Sequence, residues 1–260
     1  MGLFTADYGL LVNGRPLSDY GVYVDHDGVE LREAKPATSY AQVPGQGGSH
    51  DLTLADSCGD AWTGRRTLVI HLGVAATGQD AAALVTGAKR AVGALNGSQV
   101  RVWWQALGGW LRGRASVDGW DDNLSALDSA PHSSHGRLLV EAMPWVYGAP
   151  EVVSLAEGDN AIVVDGNRPC RPVLKVTPSA QAASWSVSFC GATVEVVKAS
   201  PSSVLTATLD YGRRRIWHET SGDNVVPTLE SDFGELAPGE QTVALEGCSA
   251  TMTYEPLWMI

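Results

Sequence analysis

The chain holds 260 residues, 44% of them apolar and 18% charged, with a formal net charge of −11. That balance predicts packed globular domains. Both parts of the chain are acidic, net −4 before residue 148 and −7 from there on, which argues against binding a nucleic-acid backbone, a task that needs clustered Lys and Arg. No apolar run approaches the roughly 18 residues of a spanning helix, so no membrane insertion is expected. The opening MGLFTADYGLLVNGR lacks the basic lead and long apolar stretch of a signal peptide. MGLFTA fits the loose acylation pattern, a motif short enough to arise by chance.

From the N-terminus, the first polar cluster is DHDG, Asp25 to Gly28. It resembles the start of a calcium loop, but position 36 is proline where the bidentate glutamate belongs, so a tight turn between strands is expected. PGQGGS (44–49) is glycine-rich, yet no helical pattern follows it; a wide loop with positive φ angles is expected rather than a phosphate cradle. TLVIHLGV (67–74), QVRVWWQAL (99–107) and RLLVEAMPWVY (137–147) show the two-residue period of half-buried strands. Between the first two, apolar positions 81, 84, 85, 88, 92 and 95 trace one helical face and predict a helix over about 79–95. Thr77 with Asp80 has the form of a capping box, and Asn96-Gly97 that of a stop. Trp103 and Trp104 are adjacent on a strand and must face opposite sides. His132 and His135 form an HxxH without a third ligand, which predicts a solvated loop rather than a metal site.

PWVYGAPE, Pro144 to Glu151, brackets a glycine with two prolines and predicts a boundary between domains at 1–147 and 148–260. Beyond it come NAIVVDG, RPVLKVTP, SWSVSFCG, TVEVVKA, SVLTATLDYG, RRRIWHE, QTVALEG and SATMTYEPLW, short alternating segments separated by turn residues. This is the pattern of a sandwich or barrel, and the chain is expected to be mainly β. The last polar loop, SDFGELAPGEQT (231–242), mixes Asp232 and Glu235 with Phe233 and Leu236. The expectation is architectural: Phe233 and Leu236 anchor by burial, Pro238-Gly239 makes a type II turn, the acids face water, and the two final strands form a hairpin.

Chemistry is sparse. There is no GxxxxGK[ST] and no GxSxG. Neither Asp121-Asp122 beside Trp120 nor Asp232 with Glu235 reveals the carboxylate separation that glycoside hydrolysis needs. Cys58, Cys170, Cys190 and Cys248 form no CxxC, so buried free thiols are expected, with a Cys190–Cys248 bridge as the alternative. No enzyme activity, metal or cofactor is expected.

VNGRPLSDYGV (12–22), VPGQGGSHDL (43–52), GRRTLVIHL (64–72), SDFGELAPGEQTVAL and the closing SATMTYEPLW together resemble the siphophage distal tail proteins, in order and spacing over almost the whole chain. Departures are Gln46, Gln241 and Leu257, where the family carries arginine, asparagine and arginine. The resemblance implies a structural protein of a long non-contractile tail. Its N-terminal β-sandwich with one helix would assemble as a homo-hexameric ring, and its C-terminal domain would be a galectin-like jelly roll. Implied partners are the tail tube, the tail-tip hub and a receptor-binding component, with DNA passing through the lumen unbound. The implied place is the distal tail tip of a virion assembled in the host cytoplasm. Ring-interface candidates are Val43, Pro44, Gly45, Gln46, Gly47, Gly48, Arg65 and Arg66. An alternative is a lectin-like protein using Trp217, His218 and Glu219, residue types that contact sugar in galectin-like sites.

Overall fold

The computed structural model describes residues 8–42, 45, 47–55, 61, 63–74, 81–123, 133–198, 200 and 204–260. Val43, Pro44, Gln46, Cys58, the Thr77–Asp80 cap, His132 and the acylation-like MGLFTA lie outside the described residues. The chain divides into two compact units, Met1–Val146 and Tyr147–Ile260.

In the first unit, β1 (Leu10–Val12), β2 (Arg15–Pro16), β3 (Val22–Leu31), β4 (Tyr40–Gln42), β5 (Ser49–Asp51), β6 (Arg66–Val74), α1 (Ala81–Leu95), β7 (Gln99–Trp104), β8 (Gly109–Asn123) and β9 (Ser133–Ala142) follow in order; β10 (Val146–Tyr147) spans the junction. An antiparallel sheet runs β2-β1-β7-β8-β9-β6-β3. It opens with a hairpin whose central residues, Asn13 (φ 53°) and Gly14 (φ 77°), both take the left-handed backbone that a type I′ turn requires. The Asn13 side chain accepts the Arg101 amide at 2.9 Å and ties that hairpin to β7. β8 pairs with β7 along its first half and with β9 along its second, so one long strand carries the sheet through its bend. The DHDG segment departs from expectation. It is a bulge inside β3, where register with β6 shifts between Val24 and Val29, and not a turn between two strands.

α1 buries Leu84, Ala88, Ala91 and Leu95. Leu84 and Ala88 meet Val74, with Trp120 packed alongside. Its two interior glycines differ. A Cβ on Gly87 would lie 2.5 Å from Val74 Cγ1, so glycine lets the helix approach β6; Gly93 has open space.

In the second unit, β11 (Glu151–Leu155), β12 (Gly158–Val164), β13 (Val173–Pro178), β14 (Ser184–Phe189), β15 (Ala192–Val197), β16 (Ala207–Asp210), β17 (Arg215–His218), β18 (Asn224–Val225), β19 (Gly239–Glu246), β20 (Cys248–Tyr254) and β21 (Leu257–Trp258) follow. Among the described residues β11 to β20 form two sheets, β11-β20-β13-β16-β17-β18 and β12-β19-β14-β15. Their inner faces share one core that includes Leu174, Leu209 and Met252 from the first and Val187, Val194 and Val243 from the second. This is a β-sandwich. The expected final hairpin is absent: β19 and β20 belong to opposite sheets. The chain crosses at Gly247 (φ 64°), where a Cβ would lie 2.5 Å from the Ser184 carbonyl oxygen. The alternative of a Cys190–Cys248 bridge also fails. Cys170, Cys190 and Cys248 are free thiols, Cys190 exposed and the other two buried. Burial pushes the Cys170 and Cys248 thiols up to about 12, which leaves them unreactive.

The loop after β18 closes the edge of β15. The Thr228 and Asp232 amides donate to the carbonyls of Glu195 and Thr193, and Ser231 Oγ accepts the Glu195 amide. Leu236 is buried and exchanges both backbone hydrogen bonds with Cys170. Phe233 is half-buried and meets Tyr211 edge-on at 5.7 Å; Tyr211 in turn packs on Phe189 at 4.8 Å. Gly239 has φ 92°, as the expected turn requires. Glu235 does more than face water, since Arg171 Nε and Nη2 donate to its Oε1 at 2.9 and 2.7 Å.

Two thermal-melt results follow. Gly93→Ala stabilises the first unit by about 0.5–1 kcal/mol, whereas Gly87→Ala destabilises it by about 1–3 kcal/mol. Phe233→Ala costs the second unit about 2–3 kcal/mol, against less than about 1 kcal/mol for Glu235→Ala, whose ion pair is solvent-screened.

Candidate assembly and ligand surfaces

Among the described residues β4 and β5 pair only with each other, as a two-stranded ribbon. Gly45 (φ 86°) and Gly48 (φ 102°) supply the positive φ angles expected of the PGQGGS loop, and with Gly47 they are exposed. At the base, the Gly64 amide donates to the Lys35 carbonyl, and Pro36 bridges to Thr63. Apolar side chains in and just after the ribbon stand in solvent: Tyr40 is 62% exposed, Leu52 59% and Leu54 75%. Isolated two-stranded hairpins are marginal in water, and grouped exposed apolar side chains mark a contact surface. The two arginines beside the ribbon part company. Arg65 is exposed and pairs with Glu141 Oε2 at 3.3 Å, whereas Arg66 is 2% exposed, inside the unit.

A polar cluster covers the β3 bulge. Asp25 receives His135 Nδ1 on Oδ2 at 2.6 Å and His26 Nδ1 on Oδ1 at 2.9 Å. His26 Nε2 lies 3.2 Å from Asp27, and His71 sits 3.8 Å from both Asp27 and Glu30. His135 is therefore on β9 and hydrogen-bonded, not in the solvated loop expected of HxxH. Partial burial pushes the Asp25 carboxyl up, but the hydrogen bonds from His26 and His135 outweigh it and hold the group below its ordinary 3.8. The hydrogen bond to Asp25, with Asp27 nearby, holds His26 above its ordinary 6.5. DHDG and HxxH each stand out in the sequence, but nothing there says that they meet. No group of three or more His, Cys, Asp or Glu among the described residues is arranged to hold a metal ion.

Elsewhere on the sheet, Trp103 and Trp110 are cross-strand partners, edge-to-face at 5.5 Å, with the Arg101 guanidinium 4.8 Å from the Trp110 ring. Trp120 donates its indole N–H to Ser134 Oγ at 2.8 Å.

The sugar-site candidates divide between the two faces of β17. His218 shares the face of core residue Ile216, while Trp217 points outward beside Arg215 at 5.7 Å. The Glu219 carboxylate is engaged: Lys175 Nζ lies at 3.0 Å and Thr208 Oγ1 donates at 2.9 Å, and these two hold it below its usual range.

Residues 165–258 match the family model described as a siphovirus-type tail component, C-terminal domain. Among solved structures, the chain is similar to the one described as "SPP1 Dit (gp 19.1) Protein, a Paradigm of Hub Adsorption Apparatus in Gram-positive Infecting Phages". The TM-score is 0.71 at 14% identity, covering 96% of this chain and 98% of that one. It is also similar to chains of the phage p2 baseplate in its activated conformation with Sr (TM-score 0.47, 9% identity, 92% of each chain) and with Ca (0.42, 9%, 93% and 92%). No curated protein matches significantly. The family match bears out the resemblance to siphophage distal tail proteins, and the first structural match shows the same mainly-β fold over nearly the whole chain.

The Asp25 cluster sets a pH signature. The contribution of Asp25 is complete above pH 3.8 and lost as pH falls through its lowered value; that of His26 is complete below pH 6.5 and lost as pH rises through its raised value. Asp25→Asn should therefore destabilise the first unit in thermal melts most between these limits, by about 1–2 kcal/mol. An equal difference at about pH 5 and about pH 9 would contradict this.

Proposed function

We propose that the chain is a structural component of a long non-contractile phage tail, at the distal tip of the virion, where it forms a hexameric ring joining the tail tube to the adsorption apparatus. One observation carries the ring: the β4–β5 ribbon and the residues just after it present Tyr40, Leu52 and Leu54 to solvent, and among the described residues no other strand pairs with the ribbon. A ring forms from heterologous contacts whose rotation closes, so each subunit must offer a projecting element and a different surface to receive it. The ribbon fits the first role. Its glycines, Gly45, Gly47 and Gly48, allow a neighbour's backbone to come close, and exposed Arg65 lies beside its base, while buried Arg66 supports the strand from within. The family match and the shared fold support the tail assignment.

An acidic wall suits a conduit for DNA, because like charge keeps the polyanion from adhering. The partners are then copies of this chain and other tail proteins: the tube above, the hub below and a receptor-binding component. In this reading the chain is not an enzyme and takes no cofactor, and it assembles in the host cytoplasm before the virion is complete.

Deleting residues 43–49, or replacing Tyr40 and Leu54 with serine, should yield a folded monomer in analytical ultracentrifugation where the parent chain sediments with a six-fold mass. An intact six-fold species in either variant would sink the ribbon's role. A parent chain that stays monomeric at all concentrations would sink the ring.

A further inference from the structure

At the edge of the second unit's larger sheet lies a shallow cleft of about 210 Å³. Ile216, Val225 and Phe233 give it an apolar floor, and Arg214, Arg215 and Val226 stand at its mouth. The cleft sits between β18, which among the described residues pairs only with β17, and the loop that carries Phe233. Val226 is 81% exposed.

The rim is cationic in an acidic protein. Three of the seven basic residues beyond residue 147 are the consecutive Arg213, Arg214 and Arg215. Arg213 is held by Asp210 at 3.6 Å, and Arg215 donates to Asn224 Oδ1 at 2.7 Å while lying over Trp217. Arg214 is exposed, takes the left-handed backbone (φ 51°), and makes no side-chain hydrogen bond or ion pair among the described residues. A non-glycine residue is seldom held there. An unengaged guanidinium next to an apolar floor matches a ligand with carboxylates and an apolar side chain.

We propose that this cleft receives an acidic peptide segment of another protein, with an apolar side chain seated on Phe233 and Val225 and its carboxylates paired with Arg214 and Arg215. The open edge of β18 lets such a segment lie alongside in extended form. That its owner is a neighbouring tail protein rests on the function proposed above; the chemistry of the cleft does not.

The test is fluorescence anisotropy on the full chain with a short fluorescein-labelled peptide, one leucine flanked by aspartates. Saturable binding is expected, weakened about tenfold by Arg214→Gly and similarly by changing the peptide's leucine to serine. Glycine accepts the left-handed backbone without strain, so the loss reports the guanidinium and not the fold. Absence of saturable binding, equal binding to Arg214→Gly, or equal binding of the serine peptide overturns the proposal. So does sedimentation showing self-association that Arg214→Gly abolishes, since the occupant is then a second copy of this chain. Binding without a ring sinks the ring reading alone, and a ring without binding sinks this inference alone.

Discussion

Backbone groups at the edge of a sheet must find partners, and this protein meets that demand in several ways. In the first unit, Asn13 lends its side chain to β7 so that the opening hairpin is fixed to the sheet. In the second, residues 228–232 run along β15 and satisfy its outer amides and carbonyls. Phe233 and Leu236 hold that covering segment down, Phe233 through the Tyr211 ring and Leu236 through paired hydrogen bonds to Cys170. Left bare, such an edge is a template for pairing with any other strand. Among the described residues the β4–β5 ribbon and β18 lack a cover of this kind, and exposed apolar side chains stand beside both, Tyr40, Leu52 and Leu54 by the ribbon and Val226 after β18.

Burial sets the chemical character of the rest. Cys170 and Cys248 are locked inside the sandwich as high-pKa thiols, and Tyr211 is pushed upward by the same desolvation. One cluster of interacting titratable groups lies where a strand departs from regularity. The β3 bulge frees Asp25 from the ladder and lets it reach His135 on β9, past the strand that pairs with both. A regular strand would have left those two side chains on separate neighbours.

Local pattern made some features legible and left others hidden. Asn13-Gly14 stands at a hairpin because few other pairs tolerate two left-handed residues. The helix was readable from its apolar stripe, and Leu84, Ala88 and Leu95 lie buried as that stripe requires. The relation of β19 to β20 was not readable. Alternation is the same whether two strands pair as a hairpin or face each other across a core, and only the crowding around Gly247 separates the cases. DHDG likewise has turn composition, yet a bulge needs the same residues, so composition alone could not choose. Glu235 looked like a solvated acid because its partner, Arg171, lies 64 residues away in sequence.

Adjacent residues of one type need not share a role, and the two arginine clusters show why. Arg66 opens β6 and is buried, whereas Arg65 just before the strand is exposed and pairs with Glu141. Arg213, Arg214 and Arg215 instead follow a turn, where no period applies. Arg213 is drawn back to Asp210, Arg215 enters the ladder beside Trp217, and Arg214 at the left-handed position turns away from both. As a run of three charges, the segment is too short to offset a net charge of −11. As a turn, it delivers Arg214 and Arg215 to the mouth of an apolar cleft, where the low polarity of the floor strengthens whatever charge pair forms there.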